Sequence, residues 1–199
     1  SNGESSAVRI LEAMQWVAEN HNKYNIKVVC MSFGSEPLGF LDPIMKGAEA
    51  LWQKGITIVS AGGNSGPNTE TIKSPGISGK IITVGGFNDN RIDDSYNKNF
   101  FEIANFSSRG PALGRVKPDV VAPAVDIISI SNKGGYTTLS GTSVATPMVA
   151  GLCATLYKIN NRLSPNQIKR YILASCTPIS YNRFAEGNGF PNLNKIIKH

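Results

Sequence analysis

The sequence predicts an α/β fold in three layers, a mostly parallel sheet with helices on both faces. Short β-branched runs alternate with stretches of helical spacing, the pattern of strand–helix–strand units. The runs are apolar at consecutive positions, so both faces of each strand need cover. A long segment in the second half, residues 144–157, is apolar nearly all round, and a helix without a polar face is buried.

Each element can be justified in order. Ala7, Ile10, Leu11, Met14, Val17 and Ala18 fall at helical spacing, with Ser6 placed to cap. Residues 26–33 read as a buried strand. Asp42 and Pro43 open a second helix as N-cap and first residue, and Gly55 closes it. Strands follow at 56–60, 81–84, 119–121 and 127–128. The helix at 144–157 carries Ala145, Ala150, Gly151 and Ala154, small residues that let other backbones approach. Ser164-Pro165-Asn166-Gln167 is a capping box with proline at the first helical position, ahead of Ile168, Tyr171 and Ile172.

Composition narrows the function classes. The 199 residues are 41% hydrophobic and 17% charged, which excludes a disordered tail and is enough chain for one core. No internal linker or repeat divides it. No window approaches the roughly 18 apolar residues of a membrane span. The formal charge is +6, but the basic residues are scattered. Their densest group, Lys158, Arg162, Lys169 and Arg170, reads as a solvated helix face rather than a nucleic-acid patch, having no interleaved aromatics. Cys30, Cys153 and Cys176 form no CxxC pair and no even set, which argues against a disulfide framework or a zinc site. Such thiols slightly favour a reducing, intracellular compartment, with secretion left open.

Two segments carry chemistry. In residues 139–151, Ser143 lies at the start of the buried helix. There, unpaired amides and the positive end of the helix dipole can stabilise an oxyanion; the plainer alternative is an N-cap serine. In Ser60-Ala61-Gly62-Gly63-Asn64-Ser65-Gly66-Pro67, Asn64 follows a strand, at the edge where parallel-sheet sites form. The plainer alternative here is a turn residue in left-handed geometry.

Together, Gly141-Thr142-Ser143-x-Ala145-x-Pro147-x-Val149-Ala150-Gly151 and Ala61-Gly62-Gly63-Asn64-Ser65-Gly66 resemble the nucleophile and oxyanion segments of the subtilisin-like serine proteases, the subtilases. Met31-Ser32-Phe33-Gly34 resembles that family's substrate-binding strand. Phe106–Pro111 and Lys117–Pro123 match further segments, all in the family's order from about Ala7 to about Thr177. The resemblance implies a subtilisin-like sheet and a serine endopeptidase acting on peptide or protein substrates. It implies that Ser143 is the nucleophile and that Asn64 donates to the oxyanion beside the Ser143 N–H. It makes Ser32-Phe33-Gly34 and Ala61-Gly62-Gly63 walls of the primary specificity pocket, with backbone that pairs with extended substrate. It places Pro75 after a cis peptide bond. Two departures are Met148, where the family often has histidine, and Ala124 in place of a glycine, so a glycine-only backbone angle is not expected there.

The family's Asp-Ser/Thr-Gly and His-Gly-Thr motifs are absent from these residues. His21 reads as an exposed loop residue, His199 is the last residue, and the first aspartate is Asp42. A Ser–acid–His order would need Glu186 and His199. A chymotrypsin order could use His21 but belongs to an all-β fold. The chain therefore resembles the C-terminal half to two-thirds of a subtilase domain, lacking its N-terminal part, with residues 178–199 as an extension. This predicts an inactive isolated chain, uncovered surfaces and self-association; the alternative function is a non-catalytic peptide-binding or regulatory module. The implied chemistry needs no cofactor. Structural calcium is possible in the family, but no ligands are identifiable. Asp93-Asp94 reads first as a solvated loop and second as a calcium loop. The small Gly62 and Gly63 suggest an open pocket.

Overall fold

The structure, a computed structural model, describes residues 5–90 and 100–197. Helix α1 (Ala7–Asn20) is capped by Ser6, whose Oγ accepts the Arg9 N–H at 3.3 Å. After β1 (Val28–Met31), helix α2 (Pro43–Gln53) starts at Asp42, which accepts from Met45 N at 2.9 Å and Ser74 Oγ at 2.6 Å. It ends at Gly55, whose φ of +89° lets the Gly55 and Ile56 amides return to Trp52 O and Leu51 O. This left-handed cap requires glycine. Strands β2 (Thr57–Ala61), β3 (Ile82–Asn88), β4 (Glu102–Ile103) and β5 (Val120–Pro123) follow.

Four of these strands form the parallel sheet, in the order β1-β2-β3-β5. The register pairs Met31 with Ser60, Ala61 with Val84, and Val84 with Val120. β4 joins antiparallel at the end of β3. Among the described residues β1 pairs with β2 alone. All five β2 residues are buried, which needs cover on both faces. One cover is α3 (Thr142–Ile159), which lies along β1, β2, β3 and β5; Tyr157 on it bonds Thr57 at 2.8 Å. Helix α2 also packs on β2, and α1 on α2. Helix α4 (Pro165–Ala174) has both arms of its capping box in place.

Three expectations are corrected. Residues 127–128 are not part of the main sheet. They begin β6 (Ile127–Ile130), which pairs only with β7 (Tyr136–Leu139) in a separate hairpin. Ile128 is 71% and Ile130 81% exposed; a β-branched run signals a strand, not which sheet it joins. Helix α3 is not buried all round. Val149, Cys153 and Leu156 face the core, whereas Met148, Gly151 and Ala154 face outward. A Cβ at Gly151 would meet nothing within 4 Å, so this small residue admits no close backbone. Lys169 is not on a solvated face. Its ammonium donates to Ile81 O at 2.7 Å and pairs with Asp119 at 2.9 Å.

The stretch from residue 178 packs on the sheet through β8 (Cys176–Thr177), α5 (Arg183–Glu186), β9 (Phe190–Pro191) and α6 (Leu193–Ile197). Val121 N donates to Gly189 O at 3.0 Å, and the Phe190 ring packs on Phe87 and Phe101. Buried Glu186 accepts from the Ile179 and Ser180 amides. All three cysteines are free thiols. Burial pushes Cys153 and Cys176 up to about 12.

Candidate active site

Strand β2 runs into Gly62-Gly63-Asn64 at its carboxyl end, beside the first turn of α3. Gly62 N bonds Val84 O at 2.8 Å, anchoring the turn to β3. Gly63 has φ +108°, so the left-handed residue of this turn is Gly63; Asn64 is not among the residues of positive φ. The 106–108 segment braces the turn from outside: Ser108 N donates to Gly63 O at 3.0 Å and Ser108 Oγ accepts from Ser65 N at 3.0 Å. Pro75 follows a cis bond and Ala124 is not at positive φ, as the resemblance implied.

Thr142 fixes the Asn64 amide. Asn64 Oδ1 accepts both the Thr142 N–H at 2.9 Å and the Thr142 hydroxyl at 3.0 Å. The same hydroxyl oxygen accepts the Gly63 N–H at 3.3 Å. With its oxygen held, the amide can turn only its Nδ2 donors outward. The motif around Ser143 assigns Thr142 no role; that role comes from Asn64, 78 residues away in sequence.

Ser143 is not the N-cap. The cap is Gly141, at φ 153°, and Ser143 lies inside the first turn of α3. Its side chain therefore caps nothing, and its own N–H has no protein acceptor among the described residues. A Cβ at Gly141 would sit 3.2 Å from Ser143 Oγ and 3.3 Å from Asn64 Nδ2. These two atoms thus border one small volume at the positive end of α3. Ser143 is half-buried and Asn64 exposed, so the volume opens to solvent.

The two expected pocket walls differ. Ser32 and Gly34 are exposed and Phe33 is half-buried, whereas Ala61, Gly62 and Gly63 are buried. The carbonyls of Gly62 and Gly63 are already taken by Lys73 N and Ser108 N. Of the two, the Ser32–Gly34 side is the exposed one.

Among the described residues no imidazole or carboxylate hydrogen-bonds Ser143. His21 ends α1 as its C-cap and is half-buried rather than exposed. His199 and Asp93-Asp94 lie outside the described residues. No group of three or more His, Cys, Asp or Glu placed to hold a metal occurs among the described residues, and no helix of theirs is long and apolar enough to cross a membrane.

The model of the subtilase family, Peptidase_S8, matches residues 1–190. The chain belongs to the subtilase family. It is 36% identical over 193 residues to the serine protease AprX of Bacillus subtilis, covering 85% of this chain and 43% of AprX. It is 32% identical over 230 residues to pyrolysin of Pyrococcus furiosus, covering 98% of this chain and 16% of pyrolysin. Among solved subtilase structures, sphericase superposes with a TM-score of 0.84 at 28% identity, covering 96% of this chain and 65% of sphericase. The chain thus spans less than half the length of these two relatives and about two-thirds of that structure.

Proposed function

We propose that this subtilase chain carries the nucleophile and oxyanion site of a serine endopeptidase. The observation that supports it most is the volume above Gly141, bordered by Ser143 Oγ and Asn64 Nδ2 and adjoining the free Ser143 N–H. In the first step Ser143 Oγ bonds to the scissile carbonyl carbon while its proton passes to a base. The carbonyl oxygen becomes an oxyanion within reach of Asn64 Nδ2 and the Ser143 N–H, donors already oriented before charge develops. Collapse breaks the C–N bond, and the amine leaves with that proton. Water then hydrolyses the acyl-enzyme by the same route. The substrate is an extended peptide lying along Ser32–Phe33–Gly34. No cofactor takes part.

No base pairs with Ser143 among the described residues, so the 199-residue chain alone is expected to be inactive, its cleft completed by the remainder of a longer subtilase domain. The edge of β1 that is unpaired among the described residues supports such a partner strand. It also supports self-association of the isolated chain, which a clean monomer by size exclusion would contradict. The missing base is the one observation favouring a second reading, a peptide-binding module without catalysis.

A peptidase assay on the full-length protein decides between them. Active protein should lose all specific cleavage with Ser143→Ala. Asn64→Ala should lower kcat about 10²–10³-fold, the loss known for removing such an asparagine from a subtilisin. Peptide binding without cleavage would establish the second reading instead.

A further inference from the structure

We infer that Ser108 is a positioning residue for the oxyanion donor: it brackets Asn64 on both sides and so fixes where Asn64 Nδ2 points. This rests on the protease reading above.

The backbone of Asn64 does not hold itself in place. Neither its N–H nor its carbonyl has a protein partner among the described residues. The residues on either side are held instead, both by Ser108. The Ser108 N–H donates to Gly63 O at 3.0 Å, and Ser108 Oγ accepts the Ser65 N–H at 3.0 Å. The fit is close: a Cβ on Gly63, at φ +108°, would lie 2.8 Å from Ser108 Oγ. Ser108 is fully buried and Ser65 is exposed, so the bracket reaches from the interior to the surface of the site. Its footing is the sheet. Ser107 Oγ accepts the Gly86 N–H of β3 at 2.9 Å, and Phe106 O accepts the Gly66 N–H at 2.9 Å. Residues 106 and 108 thus hold the turn, and residue 107 between them holds β3.

Geometry makes a second clamp necessary. Thr142 grips the Asn64 amide at one atom, Oδ1. A planar amide held at one atom still pivots about it, and Nδ2 then sweeps an arc. Fixing the chain on both sides of the Asn64 Cα supplies the second point and removes the pivot. A donor acts on an oxyanion most strongly when it needs no reorientation as charge develops. Loss of the bracket therefore weakens the transition state and leaves the bound substrate unaffected. Without the Ser108 hydroxyl, the Ser65 N–H lies on the exposed side and can bond water, so the fold loses little.

The test is a double-mutant cycle in the full-length protein, with kcat and KM read on one peptide substrate. Ser108→Ala should lower kcat about tenfold and hold KM within about twofold, because a misplaced donor costs less than the ~10²–10³-fold of a missing one. In an Asn64→Ala background the same substitution should change kcat by less than about twofold, since no amide is left to misplace. An equal loss in both backgrounds overturns the proposal, as does a loss carried by KM or an unchanged kcat. Ser108→Cys keeps a weak side-chain acceptor and should lie between wild type and Ser108→Ala; it carries the same cycle if the alanine variant does not fold. If the full-length protein does not cleave, the protease reading fails separately. The bracket is then read by NMR in the Ser143→Ala protein. Adding Ser108→Ala should lower the order parameter of the Asn64 side-chain amide, and an unchanged one overturns the proposal.

Discussion

The two ends of the parallel sheet treat their polar groups in opposite ways. At the amino ends of β3 and β5, Asp119 lies between two lysines. Its carboxylate accepts from Lys117 at 2.6 Å, Lys169 at 2.9 Å and Thr83 N at 2.8 Å. Lys117, fully buried, also donates to Thr83 Oγ1 and Ile81 O. Burial pulls Lys117 down to about 8, against the pull of Asp119. Burial alone would raise Asp119, but the two ammonium groups outweigh it and hold its carboxyl below the usual range. At the carboxyl end of β2, Thr142 satisfies only half of the Asn64 amide, and the Ser143 N–H has no acceptor among the described residues. A closed set of donors and acceptors has no capacity left for a ligand; an incomplete one, aimed at one volume, has.

Removing a partner from the closed end should affect stability, and doing so at the open end should affect turnover. Asp119→Ala leaves the buried Lys117 ammonium facing the partly buried one of Lys169 and should lower unfolding free energy by about 3–5 kcal/mol, read by urea titration. Gly141→Ala should do the reverse. Its φ and the Cβ contacts with Ser143 Oγ and Asn64 Nδ2 displace reacting atoms, and about a 10²-fold loss of kcat is expected in the full-length protein without a comparable loss of melting temperature.

The pH dependence of stability sharpens the contrast. Asp119 titrates lower folded than unfolded, so its contribution is present above its ordinary value of 3.8 and is lost as pH falls below that. Lys117 gives a slope of the same sign at high pH. Its folded form sheds a proton near 8 and its unfolded form near 10.5, so its own term becomes more favourable between those values. Melting curves of wild type and Asp119→Asn should therefore diverge above pH 4 and converge below it. The smallest effect should be a gain. Gly151→Ala places a methyl in open space on a regular helix and should stabilise by about 1 kcal/mol, seen as a raised melting temperature.

What was legible in the sequence was local. Ser6, Asp42-Pro43, Gly55 and the Ser164–Gln167 box act within one helical turn, and each caps as its residue type dictates. The two segments that carry the family resemblance do meet in the structure, with Ser143 and Asn64 bordering one volume. What escaped depends on contacts distant in sequence. Lys169 looked solvated until Asp119 and the Ile81 carbonyl were brought to it. The outer face of α3 looked buried because small residues serve either environment. Ser108 lay in a segment with no assigned role, since its bracket around Asn64 closes across 43 residues.

Helix α3 touches all four parallel strands, and its first turn holds Ser143. Ser143 is thereby carried on a helix that all four parallel strands hold. The amide hydrogens of Val149 and Cys153 should exchange with solvent only through global unfolding. On heating, the volume between Ser143 and Asn64 should therefore disappear at the rate at which the whole sheet unfolds, with no earlier phase of local fraying.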